Sequence, residues 1–183
     1  MLKERPNIIL GITGSIAAVK GPELALLLHT NLSANAIIVT TKTGQYFWDN
    51  CAQQCNPTSY SNIQEKLMFG KDILHNTMQN EGNGYRITNS ESFISELNEH
   101  TKHKILFFTC QDEWCNYAKI GDPVLHIILR DWCDIALLAP LSANTLSKLS
   151  NGLCDDTLSC IVRGEIGIFL WREGEVLYCV SAE

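Results

Sequence analysis

The sequence predicts an α/β fold in which a parallel sheet is flanked by helices on both faces. Three short apolar runs support this prediction, and polar residues that can open a helix follow each run. The runs are NIILG at 7–11, AIIVT at 36–40 and DIALLA at 134–139. Runs of this length and composition are typical of strands that are buried on both faces of a parallel sheet. At 183 residues, the chain is long enough for a single domain with a substantial core.

The first predicted strand leads into a glycine-rich turn, GITGS at 11–15, and then into an amphipathic helix over residues 15–28. A glycine-rich turn lets the backbone approach a ligand, and the N–H groups of the following helix favour a phosphate. The same glycines can also serve only a close turn and helix packing, so both interpretations stay open. The full GxGxxG pattern is absent, and a dinucleotide is therefore not implied.

The second predicted strand, residues 36–40, is followed by Thr41, Lys42 and Thr43. These polar residues precede a short helix predicted at 44–48. They either cap that helix or contact a ligand at the edge of the sheet. The two roles are compatible, because the same edge serves both.

The third predicted unit covers residues 121–156 and consists of a helix, a buried strand and a second helix. Asp122 and Pro123 are good residues for a helix start. An apolar face then recurs at the helical period, formed by Val124, Leu125, Ile128, Leu129 and Trp132. Pro140 ends the strand at 134–139, and residues 142–145 open the next helix just beyond its carboxyl end, where ligands bind in open α/β sheets. A further strand is predicted at 157–162.

Composition and charge exclude several classes of protein. The net charge of −6 argues against nucleic acid or an anionic membrane as the main partner. No apolar run reaches the length of a membrane helix, and the first ten residues do not form a secretion signal. The eight cysteines lie in apolar segments, so we expect reduced thiols and a cytoplasmic protein. Their spacings lack the short pairs of a structural zinc site, so no metal is predicted.

Residues 49–111 interrupt this pattern with a polar, irregular composition and no sustained period. A structureless loop of this length is unusual inside a compact domain. It is interpreted either as a natural surface insertion or, as we favour, as partly translated intron sequence or a gene-model error. The apolar run ILFF at 105–108 is assigned to the intron end in the second interpretation. Sequencing of the spliced transcript distinguishes the two.

Four strings of residues together resemble one known family. They are GSIAAVK at 14–20, DPVLHI at 122–127, APLSANT at 139–145 and GLCD at 152–155. They are similar to the flavoprotein family of phosphopantothenoylcysteine decarboxylases, which includes the halotolerance proteins and the lantibiotic cysteine decarboxylases. So long an ordered set is more specific than a lone glycine motif. The resemblance implies a three-layer Rossmann-like (flavodoxin-like) fold, with FMN as cofactor and a single flavoprotein domain over residues 1–183.

The resemblance also implies the residues of the site. Contacts with FMN are implied for Gly14, Ser15, Ile16, Ala17, Thr41, Lys42, Thr43, Ser142, Ala143, Asn144 and Thr145. His126 matches the catalytic base of the family. Its place one turn into a helix is compatible with that role, because the helix dipole disfavours the imidazolium and keeps the ring able to accept a proton. A lone histidine on a helix is otherwise usually structural.

The implied reaction is the FMN-dependent decarboxylation of 4′-phosphopantothenoylcysteine to 4′-phosphopantetheine in coenzyme A biosynthesis, a carboxy-lyase activity. The implied assembly is a homotrimer or heterotrimer. The resemblance covers residues 7–48 and 112–163, while the tail at 164–183 does not match. The family's substrate-binding Asn and proton-donating Cys have no counterpart here, so we expect incomplete C-terminal strands and incomplete turnover by this chain alone. The alternative is a non-catalytic regulatory or scaffold subunit of a flavoprotein trimer, of the halotolerance type that regulates a protein phosphatase. A flavin-modifying prenyltransferase of related fold ranks third, because the DPVLHI string speaks against it.

Overall fold

The computed structural model describes residues 5–76, 87, 89–117, 119–164, 167–172 and 175–180, and its centre is a seven-stranded sheet. The strands are β1 (Asn7–Ile12), β2 (Asn35–Thr40), β3 (Leu67–Phe69), β4 (Ile105–Phe108), β5 (Ile135–Leu138), β6 (Gly167–Arg172) and β7 (Glu175–Val180). Their order across the sheet is β3-β4-β2-β1-β5-β6-β7. Every neighbouring pair is parallel except β6 and β7, which are antiparallel. The predicted α/β class and Rossmann-like arrangement are confirmed.

Helices lie between the strands of the described chain. They are α1 (Gly21–Thr30), α2 (Lys42–Phe47), α3 (Gln53–Cys55), α4 (Pro57–Gln64), α5 (Gly70–Asn76), α6 (Ser90–Thr101), α7 (Cys110–Asn116), α8 (Leu125–Trp132), α9 (Ala143–Ser150) and α10 (Thr157–Arg163). A 3₁₀ turn, Ile16–Lys20, precedes α1, and a π-helical turn, Trp48–Ala52, follows α2. No helix in the described part of the chain is long and apolar enough to cross a bilayer.

The sheet separates two apolar cores, because successive side chains of a strand point to opposite faces. Along β1, Ile9 belongs to one core, while Ile8 and Leu10 belong to the other. The first core contains apolar residues of α6, α8 and α10. The second contains apolar residues of α1 and α4 together with Trp48. The protein therefore has the predicted three layers.

Helix α8 has the predicted apolar face but not the predicted start. Leu125, Ile128, Leu129 and Trp132 are each at most 2% exposed. The helix begins at Leu125 rather than at Asp122. The Asp122 carboxylate instead accepts a hydrogen bond from the Lys119 N–H at 2.9 Å. This local bond stabilises a turn, and a side chain engaged in this way is not available to cap the helix.

The helix predicted over residues 15–28 is divided in two. Ser15 caps the 3₁₀ turn, and α1 begins only at Gly21, with Pro22 in its first turn. Proline is tolerated at the start of a helix but disrupts its interior, so Pro22 fits a new helix start better than a continuous helix. The helix predicted at 44–48 begins two residues earlier, at Lys42, because Thr41 caps it.

The strand predicted at 157–162 is wrong, because these residues form α10. Asp156 and Ser159 make a reciprocal capping box at the helix start. The Ser159 N–H donates to Asp156 Oδ1 at 2.8 Å, and the Asp156 N–H donates to Ser159 Oγ at 3.2 Å. A capping box stabilises a helix start, and this one decides between helix and strand for an otherwise ambiguous apolar run.

The expectation that residues 49–111 lack regular structure is also wrong. This segment contains α4, β3, α5, α6 and β4. Strand β4 is fully buried between β2 and β3, so the run at 105–108 is an integral part of the sheet. That the segment is an insertion relative to the family stays a prediction. Residues 77–86 and 88 of the segment lie outside the described residues, as do 165–166, 173–174 and 181–183 of the tail.

Candidate functional site

The strand order reverses between β1 and β5. From β1 the chain proceeds to β2 and β4 on one side, and it later fills β5 and β6 on the other. Ligands of open α/β sheets bind at the carboxyl ends of the strands that flank such a reversal. A cavity of about 460 Å³ lies at this edge, within the usual range for small-molecule sites. Its lining residues are Gly14, Thr41, Lys42, Thr43, Cys110, Trp114, Ser142, Asn144, Thr145, Lys148, Asp155 and Asp156.

Thr13 joins the loop after β1 to the loop after β5. Its hydroxyl donates to the Pro140 carbonyl at 2.7 Å and accepts from the Ser142 N–H at 2.6 Å. The Thr13 side chain is fully buried, so these bonds are shielded from water. They hold the loop after β1 against the loop after β5, and both loops contribute lining residues to the cavity. Sequence reasoning missed Thr13, although its place in a glycine-rich turn after a buried strand is a usable signal.

Several helical starts lie at or beside the cavity, and those after β1, β2 and β5 each have a hydroxyl cap. Ser15 Oγ accepts from the Ala17 N–H at 3.3 Å, at the start of the 3₁₀ turn. Thr41 Oγ1 accepts from the Gly44 N–H at 3.1 Å at the start of α2. Ser142 Oγ accepts from the Thr145 N–H at 3.2 Å at the start of α9. The remaining first-turn N–H groups carry partial positive charge, which suits an anionic group.

Gly14 allows the loop after β1 to approach the start of α2, which follows β2. A Cβ atom at Gly14 would lie 2.7 Å from both Cβ and Cγ2 of Thr43, which is too close for real contacts. Only glycine therefore lets the loop after β1 lie against the first turn of α2. The result is a close approach of two helical starts, and the N–H groups at helical starts favour a phosphate. Trp114 also lines the cavity, is 77% exposed and offers an aromatic surface to a planar ring.

Charged residues of both signs line the cavity. Lys148 Nζ lies 2.9 Å from Oδ1 and 2.7 Å from Oδ2 of Asp155. The hydrogen bond from Lys148 holds the pKa of Asp155 below its usual range. Asp156 is engaged in capping α10. The acidic side chains at the rim are thus bound to other groups, which reduces their repulsion of an anionic ligand.

The structure brings seven of the eleven predicted cofactor contacts to this cavity: Gly14, Thr41, Lys42, Thr43, Ser142, Asn144 and Thr145. Ser15, Ile16, Ala17 and Ala143 are sequence neighbours of lining residues but do not line it themselves. Ile16 is 63% exposed. Lys148 was missed, although it lies four residues after Asn144 on the same face of α9 and helical spacing predicts its place.

His126 does not line the cavity of its own chain. Its side chain is 28% exposed on α8, and its Nδ1 forms a hydrogen bond with Oε1 of Glu113 on α7. Two other residues of α7, Cys110 and Trp114, line the cavity. His126 therefore contacts the helix that forms one wall of the cavity, and sequence reasoning gave no indication of its partner Glu113.

Comparison with known proteins identifies the family. The family model described as Flavoprotein matches residues 1–168. The chain belongs to this family. The solved structure of the FMN binding protein AtHal3 has a TM-score of 0.59 at 29% identity, over 92% of this chain and 65% of that one. A PPC decarboxylase mutant complexed with pantothenoylaminoethenethiol has a TM-score of 0.56 at 29% identity, over 91% and 66%. AtHal3 is described as an FMN binding protein, and the donors that the cavity offers suit the phosphate of such a cofactor.

Curated relatives carry decarboxylase names. Phosphopantothenoylcysteine decarboxylase of Mus musculus is 30% identical over 157 residues, which cover 86% of this chain and 52% of the relative. A probable phosphopantothenoylcysteine decarboxylase of Arabidopsis thaliana is 59% identical over 59 residues, 32% of this chain and 29% of the relative. The flavoprotein thus spans about half the length of the mouse relative, and the matched segment spans less than a third of the plant one.

Proposed function

We propose that this flavoprotein takes part in the FMN-dependent decarboxylation of 4′-phosphopantothenoylcysteine to 4′-phosphopantetheine, a step of coenzyme A biosynthesis. The observation that carries the proposal is the cavity at the strand reversal, where a glycine-rich turn and helix starts meet in a chain whose relatives bear this name. When bound, FMN supplies the transfer of an electron pair that makes loss of the carboxylate feasible. The residues of the chain hold the cofactor, orient the substrate and move a proton.

The cofactor contacts divide into two groups. Gly14, Ser15, Ile16 and Ala17 would hold the phosphate, because this segment forms a close turn with the N–H groups of a helical start. The loops after β2 and β5 would hold the rest of the cofactor through their hydroxyls, amides and backbone. Their residues are Thr41, Lys42, Thr43, Ser142, Ala143, Asn144 and Thr145.

His126 would act as the base that accepts a proton from the substrate. Because it lies outside the cavity of its own chain, the proposal requires that it serve the cavity of a neighbouring subunit. Exposed apolar side chains near it support such an interface. They are Trp114 within α7, Tyr117 directly after α7, Ile120 in the following loop, and Ile127 beside the histidine. We therefore propose a homotrimer or heterotrimer. In the heterotrimer, the partner also supplies the family's substrate-binding Asn and proton-donating Cys.

The decisive variant is His126→Asn. In the trimer assembled with its partner, it is expected to abolish release of carbon dioxide from 4′-phosphopantothenoylcysteine while the protein keeps its yellow flavin absorbance. His103→Asn is the matched control, because His103 is exposed at the opposite end of the sheet, just before β4. Normal turnover by His126→Asn would show that the catalytic assignment is wrong.

A regulatory or scaffold subunit is the second candidate. One relative favours it: phosphopantothenoylcysteine decarboxylase subunit VHS3 of Saccharomyces cerevisiae is 45% identical over 87 residues, 45% of this chain and 12% of that protein. A subunit of this kind would donate His126 to a mixed trimer or regulate a protein phosphatase. Purification distinguishes the candidates, since a yellow, trimeric and active protein supports the first, and a colourless protein that binds a partner supports the second.

We further propose a cytoplasmic location. All cysteines in the described side chains are free thiols, which fits a reducing compartment.

A further inference from the structure

His126 and Glu113 form a side-chain pair between two helices. Nδ1 of the imidazole on α8 is hydrogen-bonded to Oε1 of the carboxylate on α7. Only 12% of the Glu113 side chain and 28% of the His126 side chain are exposed, so water competes little for this bond. An ionised carboxylate only accepts hydrogen bonds, and the hydrogen of the pair therefore belongs on Nδ1.

We infer that Glu113 is a positioning residue that holds His126 as the Nδ1–H tautomer and leaves Nε2 as the atom that accepts the substrate's proton. The inference rests on the proposed function in one respect, namely that His126 is the base. A histidine whose one nitrogen is hydrogen-bonded to a carboxylate has its tautomer and ring orientation fixed by that bond. The free imidazole has no such constraint.

Glu113 is itself held firmly in place. Helix α7 begins with a capping box in which Asp112 Oδ2 accepts from the Thr109 N–H at 2.6 Å and from the Thr109 hydroxyl at 2.8 Å. Thr109 directly follows β4, so the first turn of α7 is fixed to the end of a buried strand. Glu113 directly follows Asp112 of the capping box. Its carboxylate is therefore held toward His126 by the fixed first turn of α7.

The charge of Glu113 also affects the pKa of a thiol on a third helix, α10. Burial raises the pKa of the Cys160 thiol on α10 to about 11, and the negative charges of Glu113 and Asp156 add to this rise. Helix α7, which carries Glu113, contacts both α8 and α10. The Glu113 carboxylate contacts the His126 imidazole directly. The Arg130 guanidinium on α8 is instead paired with Asp131.

The same helix connects the base to the cavity. Cys110, Glu113 and Trp114 are spaced three and four residues apart, so they share a face of α7. Two of them line the cavity and the third holds the histidine. The wall of one subunit's cavity and the tautomer of its histidine therefore depend on the same short helix.

Long-range ¹H–¹⁵N spectra of the imidazole side chains test the inference on the whole chain, without substrate. The resonances of His126 are assigned by their loss in His126→Asn. We expect the Nδ1–H tautomer in the wild type and in Glu113→Gln, whose amide oxygen still accepts from Nδ1. In Glu113→Ala, which has no acceptor, we expect a shift to the Nε2–H tautomer. Glu99→Ala is the matched control, because Glu99 is exposed on α6 and pairs with Lys102, and it should leave the His126 resonances unchanged.

Activity provides a second measurement. Glu113→Ala should lower kcat by about 10- to 100-fold, a part of the 10²- to 10⁴-fold that a general base contributes. KM should stay unchanged, and Glu113→Gln should restore most of the rate, which a merely structural role would not predict. A wild-type His126 in the Nε2–H form overturns the inference, even if Glu113→Ala does not fold. The Nδ1–H form together with normal turnover of His126→Asn supports the tautomer assignment, while it refutes both the proposed function and the role of Nε2 as proton acceptor.

Discussion

Gly44 provides a sharp test of how closely the cavity loops are packed. It is the third residue of α2, and a Cβ atom built there would lie 2.2 Å from the carbonyl oxygen of Ile12 and 2.8 Å from its carbonyl carbon. That oxygen also accepts a hydrogen bond from the Thr41 N–H at 3.0 Å. Because the obstacle is backbone, Gly44→Ala cannot be accommodated by a side-chain rotation. Helix α2 must move away from the end of β1.

Two costs follow from this displacement. Overpacking of a dense interior typically costs about 1–3 kcal/mol. A weakened Thr41 cap, whose bond to the Gly44 N–H is 3.1 Å long, adds about 1 kcal/mol. We therefore expect the free energy of unfolding to fall by about 3 kcal/mol and Tm to fall by roughly 6–12 °C for a chain of this size. FMN binding should weaken as well, since Thr41 and Thr43 line the cavity.

Urea denaturation followed by circular dichroism measures the loss of stability, and flavin fluorescence measures binding. Gly152→Ala is the matched control: no atom lies within 4 Å of its added Cβ, and only its positive φ of 68° makes alanine costly, by about 1 kcal/mol. If Gly44→Ala were no more destabilising than Gly152→Ala, the close packing of α2 against β1 would be refuted.

Two further predictions concern a cap and two partly buried thiols. Ser142→Ala removes the cap of α9 and should lower the free energy of unfolding by about 1 kcal/mol in urea, whereas exposed Ser150→Ala should change it by less than about 0.5 kcal/mol; equal effects would argue against the cap. Burial raises the pKa of Cys133 to about 12 and that of Cys160 to about 11, so both thiols stay neutral at pH 8 and become thiolates only at alkaline pH. Peptide mass spectrometry after iodoacetamide treatment at pH 8 should find exposed Cys55 and Cys115 alkylated well before Cys133, and equally fast labelling of Cys133 would contradict its burial.

Local signals predicted much of the fold and of the cavity. Strands β1, β2 and β5 follow from continuous apolar runs, and the cap at Ser142 follows from a hydroxyl placed three residues before Thr145. Helix α10 was mistaken for a strand because an apolar run alone is ambiguous. The Asp156 and Ser159 capping box was the local signal that separates the two.

Other features depend on contacts between distant parts of the chain. Strand β4 has only four residues within a polar segment, and its burial arises from pairing with β2 and β3. Helix α7 follows β4, so the places of Cys110, Glu113 and Trp114 could not be predicted while β4 was unassigned. The pairing of Glu113 with His126 likewise depends on how α7 packs against α8, which no pattern within either helix specifies.

The bonds of the Thr13 hydroxyl also link the flavin site to assembly of the sheet. Thr13 and Ser142, which it bonds, are 129 residues apart along the chain. Their contact requires that β1 and β5 are paired. An isolated fragment that carries only one of the two loops would therefore have an incomplete binding site. Bound flavin therefore reports complete assembly of the sheet. On denaturation, release of the flavin should coincide with unfolding of the whole sheet rather than with local opening of one loop.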